Sequence, residues 1–272
     1  MERNILLTIE YDGTGFSGWQ RQPDKPTVQG TIEQALSIVC CQEIKINGTS
    51  RTDAGVHAYG QRASFKGEFG IPSDKLAMVV NNRLAGGLRG KTGVGPVRIV
   101  EAVEMPPDFH ARFDSVGKTY IYRIRNAKEM DIFQRNYCYQ VTEQLDVAAM
   151  QRAASIIEGT HDFACFQAAG GEERETTVRT IYQLQIQQAG TDVYIVITGD
   201  GFLYNMVRII TGTLVEVGLG KRTPESVAET IASADRQKAG HTAPPQGLYL
   251  KKVYYDIKEV PGYDDFKAPE LG

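Results

Sequence analysis

Asp53 lies in a short polar stretch, Gly48-Thr49-Ser50-Arg51-Thr52-Asp53-Ala54-Gly55-Val56-His57, between two glycines and two residues after an arginine. A carboxylate presented on a loop, among residues with unusual backbone freedom, is a candidate reactive group. An aspartate is ionised at neutral pH and can attack as a nucleophile without the general base that a serine needs. If residues 50–53 are extended, Arg51 and Asp53 point to one side, and a guanidinium there would orient the carboxylate. Aspartates in turns also hydrogen-bond their own backbone. Residue types alone leave both readings open.

The other reactive residue types are scattered. The four cysteines (Cys40, Cys41, Cys138, Cys165) contain no C-x-x-C pair, and adjacent Cys40 and Cys41 suit a structural zinc site poorly. Free thiols in a reducing compartment are the expectation. The histidines (His57, His110, His161, His241) form no H-x-x-x-H pair, and His57 and His110 read as structural. Nothing in the pattern calls for a metal or a cofactor.

Positioning these residues falls to an ordinary globular chain. With 272 residues, 42% hydrophobic and 23% charged, it can bury one large core or two closely packed ones. No apolar run approaches the ~18 residues of a membrane span, and the first residues lack the order of a signal peptide. The cytoplasm is the expected home. A net charge of −3 argues against a uniformly basic nucleic-acid binder. Two acid-free segments soften that objection: 83–98 carries Arg83, Arg89, Lys91 and Arg98, and 115–128 carries Lys118, Arg123, Arg125 and Lys128. They could line a phosphate track, and solvated loops or strand faces would look the same by charge.

Ile5, Leu7 and Ile9 alternate with polar neighbours as a half-buried strand does. Val28, Ile32, Leu36 and Val39 recur at helical spacing, with Thr27 as the cap. Short strands at 44–46 and 60–65 flank the Asp53 loop, then come a helix over 73–84 and a strand over 97–103. A looser second round follows: a strand over 119–126, a helix over 145–157, a hairpin of 178–188 with 192–200, helices over 202–217 and 224–234, and a strand over 248–255. The expectation is α+β, with two ferredoxin-like (β-α-β-β-α-β) halves whose mixed, largely antiparallel sheets meet at a central cleft. Pro106-Pro107 breaks both periodicities, which divides the chain into 1–106, 107–257 and a poorly ordered or surface-docked tail, 258–272.

The Asp53 stretch resembles the G-R-T-D-A-G-V-H signature of the TruA family of tRNA pseudouridine synthases, departing only in Ser50 where that family usually has Gly. The likeness extends along the chain. Residues 11–20 (YDGTGFSGWQ) resemble the family's N-terminal strand and turn, and 27–33 (TVQGTIE) its first helix. Asp108-Phe109-His110-Ala111-Arg112-Phe113 with Lys118-Thr119-Tyr120-Ile121-Tyr122 resembles its second motif. Asn205-Met206-Val207-Arg208 and Gly247-Leu248-Tyr249-Leu250 resemble the third motif and the last strand.

The resemblance implies isomerisation of uridine to pseudouridine in the anticodon stem-loop of tRNA, positions 38 to 40, by a homodimer without cofactor or metal. Carried over residue by residue, it makes Asp53 the nucleophile and Tyr120 the ring that stacks on the target base and moves a proton. It makes Arg208 the partner of the catalytic carboxylate, and Arg51 a contact to the RNA backbone that helps extrude the nucleotide. On their own, Tyr120 in an alternating aromatic strand reads as core, whereas a guanidinium on an apolar helix such as that of Arg208 asks for an anion. Three rivals predict different features. An isomerase for other RNA sites would share every motif. A non-catalytic RNA-binding module would show an RNP-type aromatic motif, which the chain lacks. A carboxylate hydrolase would place a second acid near Asp53, and none is evident.

Overall fold

The computed structural model describes residues 2–86, 94–171 and 175–263. In chain order its helices and strands are β1 (Arg3–Tyr11), α1 (Val28–Cys40), β2 (Asn47–Gly48), β3 (His57–Gly67), α2 (Ser73–Leu84), β4 (Val97–Met105), β5 (Gly117–Asn126), β6 (Tyr139–Val141), α3 (Val147–Ile157), β7 (Gly159–Asp162), β8 (Val178–Ala189), β9 (Asp192–Gly199), α4 (Met206–Gly218), α5 (Ser226–Ser233) and β10 (Leu248–Tyr254). The protein is α+β, as the sequence implies. No helix among the described residues is long and apolar enough to cross a membrane.

The chain forms two compact units, the first comprising Met1–Ser115 with Tyr249–Val253, the second Val116–Leu248 with Tyr254–Gly272. In the first, β1 lies between β4 and β3, antiparallel to both. On β3, the antiparallel β2 pairs at Ser64 and Ala63, and the parallel β10 pairs at His57 and Ala58. Alternation along β1 sends Ile5, Leu7 and Ile9 into the core with Phe65, all 1% exposed or less. Helix α1 starts where the Thr27 hydroxyl accepts from the Gly30 N–H, and it buries Val28, Ile32 and Leu36. Helix α2 packs on α1 and β4.

In the second unit β9 lies between β5 and β8, antiparallel to both, and β7 extends the sheet beyond β8. Strand β6 runs parallel to β5. Helix α3 packs on α4, α5 and β8. Nearly every residue of α4 is buried, Ile209, Ile210, Leu214 and Val217 among them, and only Arg208 and Glu216, eight apart on one face, are less covered. Inside, the Thr119 hydroxyl bonds those of Thr198 (2.8 Å) and Tyr254 (3.0 Å).

Four elements differ from the sequence reading. No strand forms at 44–46. The Ile44 N–H donates to the Ser37 hydroxyl and the Ile46 N–H to the Glu33 carboxylate, so side chains of α1 satisfy the backbone there and pairing starts only at Asn47. The helix expected from 202 begins at Met206, because Asn205 sits at φ 60°, outside helical geometry. The short strands β6 and β7 carry too few residues to show a period. Of the expected tail, the part through Tyr263 includes buried Val260. The rest lies outside the described residues, as do Arg89 and Lys91 of the first basic segment.

Candidate active site

The Asp53 loop is braced through its backbone and through the hydroxyls of Thr49 and Thr52. The Thr52 carbonyl accepts from the Trp19 N–H (2.9 Å), and the Thr52 hydroxyl meets Tyr11 Oη (2.7 Å). Thr49 donates its N–H to the Arg62 carbonyl and its hydroxyl to the Ala111 carbonyl (3.0 Å). The Val56 N–H closes the turn onto the Asp53 carbonyl (3.1 Å). Gly18, at φ 91°, lets the preceding turn press against the loop; a Cβ there would stand 2.8 Å from the Thr52 oxygen. Ser50 and Thr52 are buried, Arg51 is exposed and Asp53 half-buried. That alternation turns Arg51 and Asp53 outward together, as an extended segment should.

Ser50 fits without strain, since it is not among the residues with positive φ. Fully buried Gln61 clamps its peptide from both sides. Its Oε1 accepts from the Ser50 N–H (3.2 Å), and its Nε2 donates to the Ser50 carbonyl (2.6 Å). Gln61→Leu leaves both groups buried and unbonded, a cost of about 2–6 kcal/mol at 1–3 per group. The urea midpoint should fall accordingly with an unchanged m-value. A wild-type midpoint would show that the clamp carries no stability.

Tyr120 and Arg208, also singled out in the sequence, belong to the second unit. Tyr120 faces Ile197 across the β5–β9 ladder, is 8% exposed, and meets the edge of Phe202 with ring centroids 5.2 Å apart at 86°. Arg208 lies in the first turn of α4, half-buried. Its Nε donates to the Ala243 carbonyl (2.8 Å) and its Nη1 to Asn205 Oδ1 (2.7 Å). The Ala243 N–H returns a bond to the Arg208 carbonyl (3.1 Å). The arginine's fork is therefore oriented in part by backbone and amide oxygens. Asn205 is the supporting residue that sequence reasoning passed over, although its place beside Met206 in a matched motif was a signal.

The second acid-free segment is less basic than its sequence. Asp192, across the ladder on β9, pairs with Arg123 (2.8 Å) and Arg125 (3.3 Å). Burial pushes the Cys165 thiol up to about 11, as befits a packing residue. Among the described residues no group of three His, Cys, Asp or Glu side chains is placed to hold a metal.

Comparison with known proteins matches this architecture. The family model described as tRNA pseudouridine synthase covers residues 7–114 and 153–256, which include Asp53 and Arg208. A Clostridium tetani protein named tRNA pseudouridine synthase A 2 is 46% identical over 258 residues, 94% of this chain and all of that one. Proteins named tRNA pseudouridine synthase A from Caldicellulosiruptor bescii and Brevibacillus brevis are each 47% identical over 253 residues, 93% of this chain and the whole of theirs. With both units matched and the braced aspartate loop inside the matched span, this chain belongs to the tRNA pseudouridine synthase family.

Proposed function

We propose that the protein isomerises uridine to pseudouridine in the anticodon stem-loop of tRNA, at positions 38 to 40, with Asp53 as nucleophile. The observation that carries this reading is the half-buried Asp53 carboxylate, on the same side as exposed Arg51 on a loop braced at Thr49, Ser50, Thr52 and the Asp53 carbonyl. A carboxylate so held meets an electrophile without reorganisation.

In the reaction the N1–C1′ bond breaks, the uracil turns over and C5 bonds to C1′. The proton on C5 is lost and N1 ends protonated, so no atom is gained overall. The target carbon is inaccessible in a stacked helix, and the nucleotide must be extruded first. Arg51, exposed at the loop tip, contacts the RNA backbone during extrusion. Tyr120 stacks on the freed base and its hydroxyl moves the C5 proton. Arg208 takes the role that the resemblance implies, partner of the catalytic carboxylate. Surrounding phosphates and RNA shape provide most of the affinity.

The test is release of tritium from tRNA carrying 5-tritiated uridine, followed by mapping of the product. Release mapped to the anticodon stem-loop supports the reading, and release mapped elsewhere favours the second reading, a pseudouridine synthase for other RNA sites. Tight RNA binding without release would leave a non-catalytic binding module. The working unit is a homodimer, in which one tRNA touches both subunits. A monomeric mass at assay concentration with full turnover would overturn that assembly.

A further inference from the structure

On the strand that leaves the Asp53 loop, three rings form a column. His57 stacks on Tyr249 of β10 (centroids 4.8 Å apart, 21°), and Tyr249 stacks on Tyr59 (5.2 Å, 11°). His57 is 2% exposed and Tyr249 8%, whereas Tyr59 is 52% exposed. The Lys251 Nζ stands 5.2 Å from the Tyr59 ring centroid. Lys251 has no ion-pair partner among the described residues. Gly60 allows this approach: a Cβ there would stand 2.6 Å from the Lys251 carbonyl oxygen. The column is therefore pre-assembled and ends in a half-open aromatic ring with an ammonium upon it that no described carboxylate neutralises.

We propose that Tyr59 and Lys251 form an RNA subsite, in which Tyr59 stacks on an unpaired base of the substrate and Lys251 takes the adjoining phosphate. The inference rests on RNA being the substrate of the Asp53 site. Rings that accept bases of any sequence, next to a cation for the backbone, are what single-stranded nucleic acid requires. Two buried rings beneath Tyr59 remove most of the freedom it would lose on binding. Packing of β10 on β3 alone would need Tyr249 and His57, and gives no reason for an exposed tyrosine with a lysine over its ring.

Substitutions at Tyr59 separate the two roles when turnover, tRNA affinity and thermal unfolding are measured on the full chain. Tyr59→Leu keeps an apolar contact for Tyr249 but offers no flat face. It should raise KM for a tRNA transcript, and Kd measured in an Asp53→Asn background, by about 5- to 150-fold. Tyr59→Trp and Tyr59→Phe, which keep a face, should stay within about threefold of wild type. Lys251→Gln should make the slope of log Kd against log salt shallower by about one. Unchanged KM and Kd in Tyr59→Leu would overturn the proposal, and so would equal losses in Leu, Phe and Trp. Failure of the isomerase reading looks different: wild-type protein would bind the transcript and release no tritium, while the Kd comparison would still judge Tyr59.

Discussion

An Asp53→Asn variant should fold normally, bind tRNA within about threefold of wild type and form no pseudouridine. The fold is insensitive because the loop hangs on backbone groups of residue 53 and on its neighbours. The Val56 N–H bonds the Asp53 carbonyl, Trp19 and Tyr11 hold Thr52, and Gln61 holds Ser50. Binding is nearly unaffected because phosphate contacts dominate RNA affinity and residue 53 makes none of them favourable. Turnover is lost because an amide has neither the charge nor the lone-pair reactivity of the carboxylate, and no other acid sits in residues 48–57 to replace it. Circular dichroism, filter binding and tritium release on one preparation separate these effects. Appreciable pseudouridine from this variant would sink the nucleophile assignment.

Tyr120→Phe should lower kcat by about 10²–10⁴ while tRNA still binds, if the hydroxyl moves the C5 proton as a general acid or base. The ring stays in place without its hydroxyl: β5 fixes its backbone against Ile197, and the edge of Phe202 lies 5.2 Å from its centre. Tyr120→Ala should add a loss of productive binding, since the stacking face goes too. Near-normal turnover in Tyr120→Phe would reduce the residue to a stacking role and assign the proton to another carrier.

Much of the architecture was legible because it rests on local periodicity. Alternating Ile5, Leu7 and Ile9 specified β1, and the helical spacing from Val28 to Leu36 specified α1. The reading failed where side chains from distant residues replace backbone pairing, as Ser37 and Glu33 do at Ile44 and Ile46. The second basic segment misled for a related reason, since the carboxylate that pairs with Arg123 and Arg125 arrives from a strand more than sixty residues later. At the candidate site, the glycine-flanked motif marked Asp53. The Gln61 clamp and the ring column on β3 could not be read, because a glutamine or tyrosine on a strand gives no hint of which neighbour it will meet.

The division of β10 between the two units sets an order of events during synthesis. Residues through Ser115 leave the ribosome long before Tyr249 is made, yet Tyr249–Val253 belongs to the first unit. Until then, β3 carries the complete Asp53 motif at its head but has no parallel partner at His57 and Ala58. A strand awaiting so distant a neighbour closes late, and its open edge invites other chains meanwhile. A product truncated before residue 249 would contain Asp53 but lack the strand that pairs with His57 and Ala58. Fragments that end before residue 249 should therefore be cleaved by proteases more readily than the full chain.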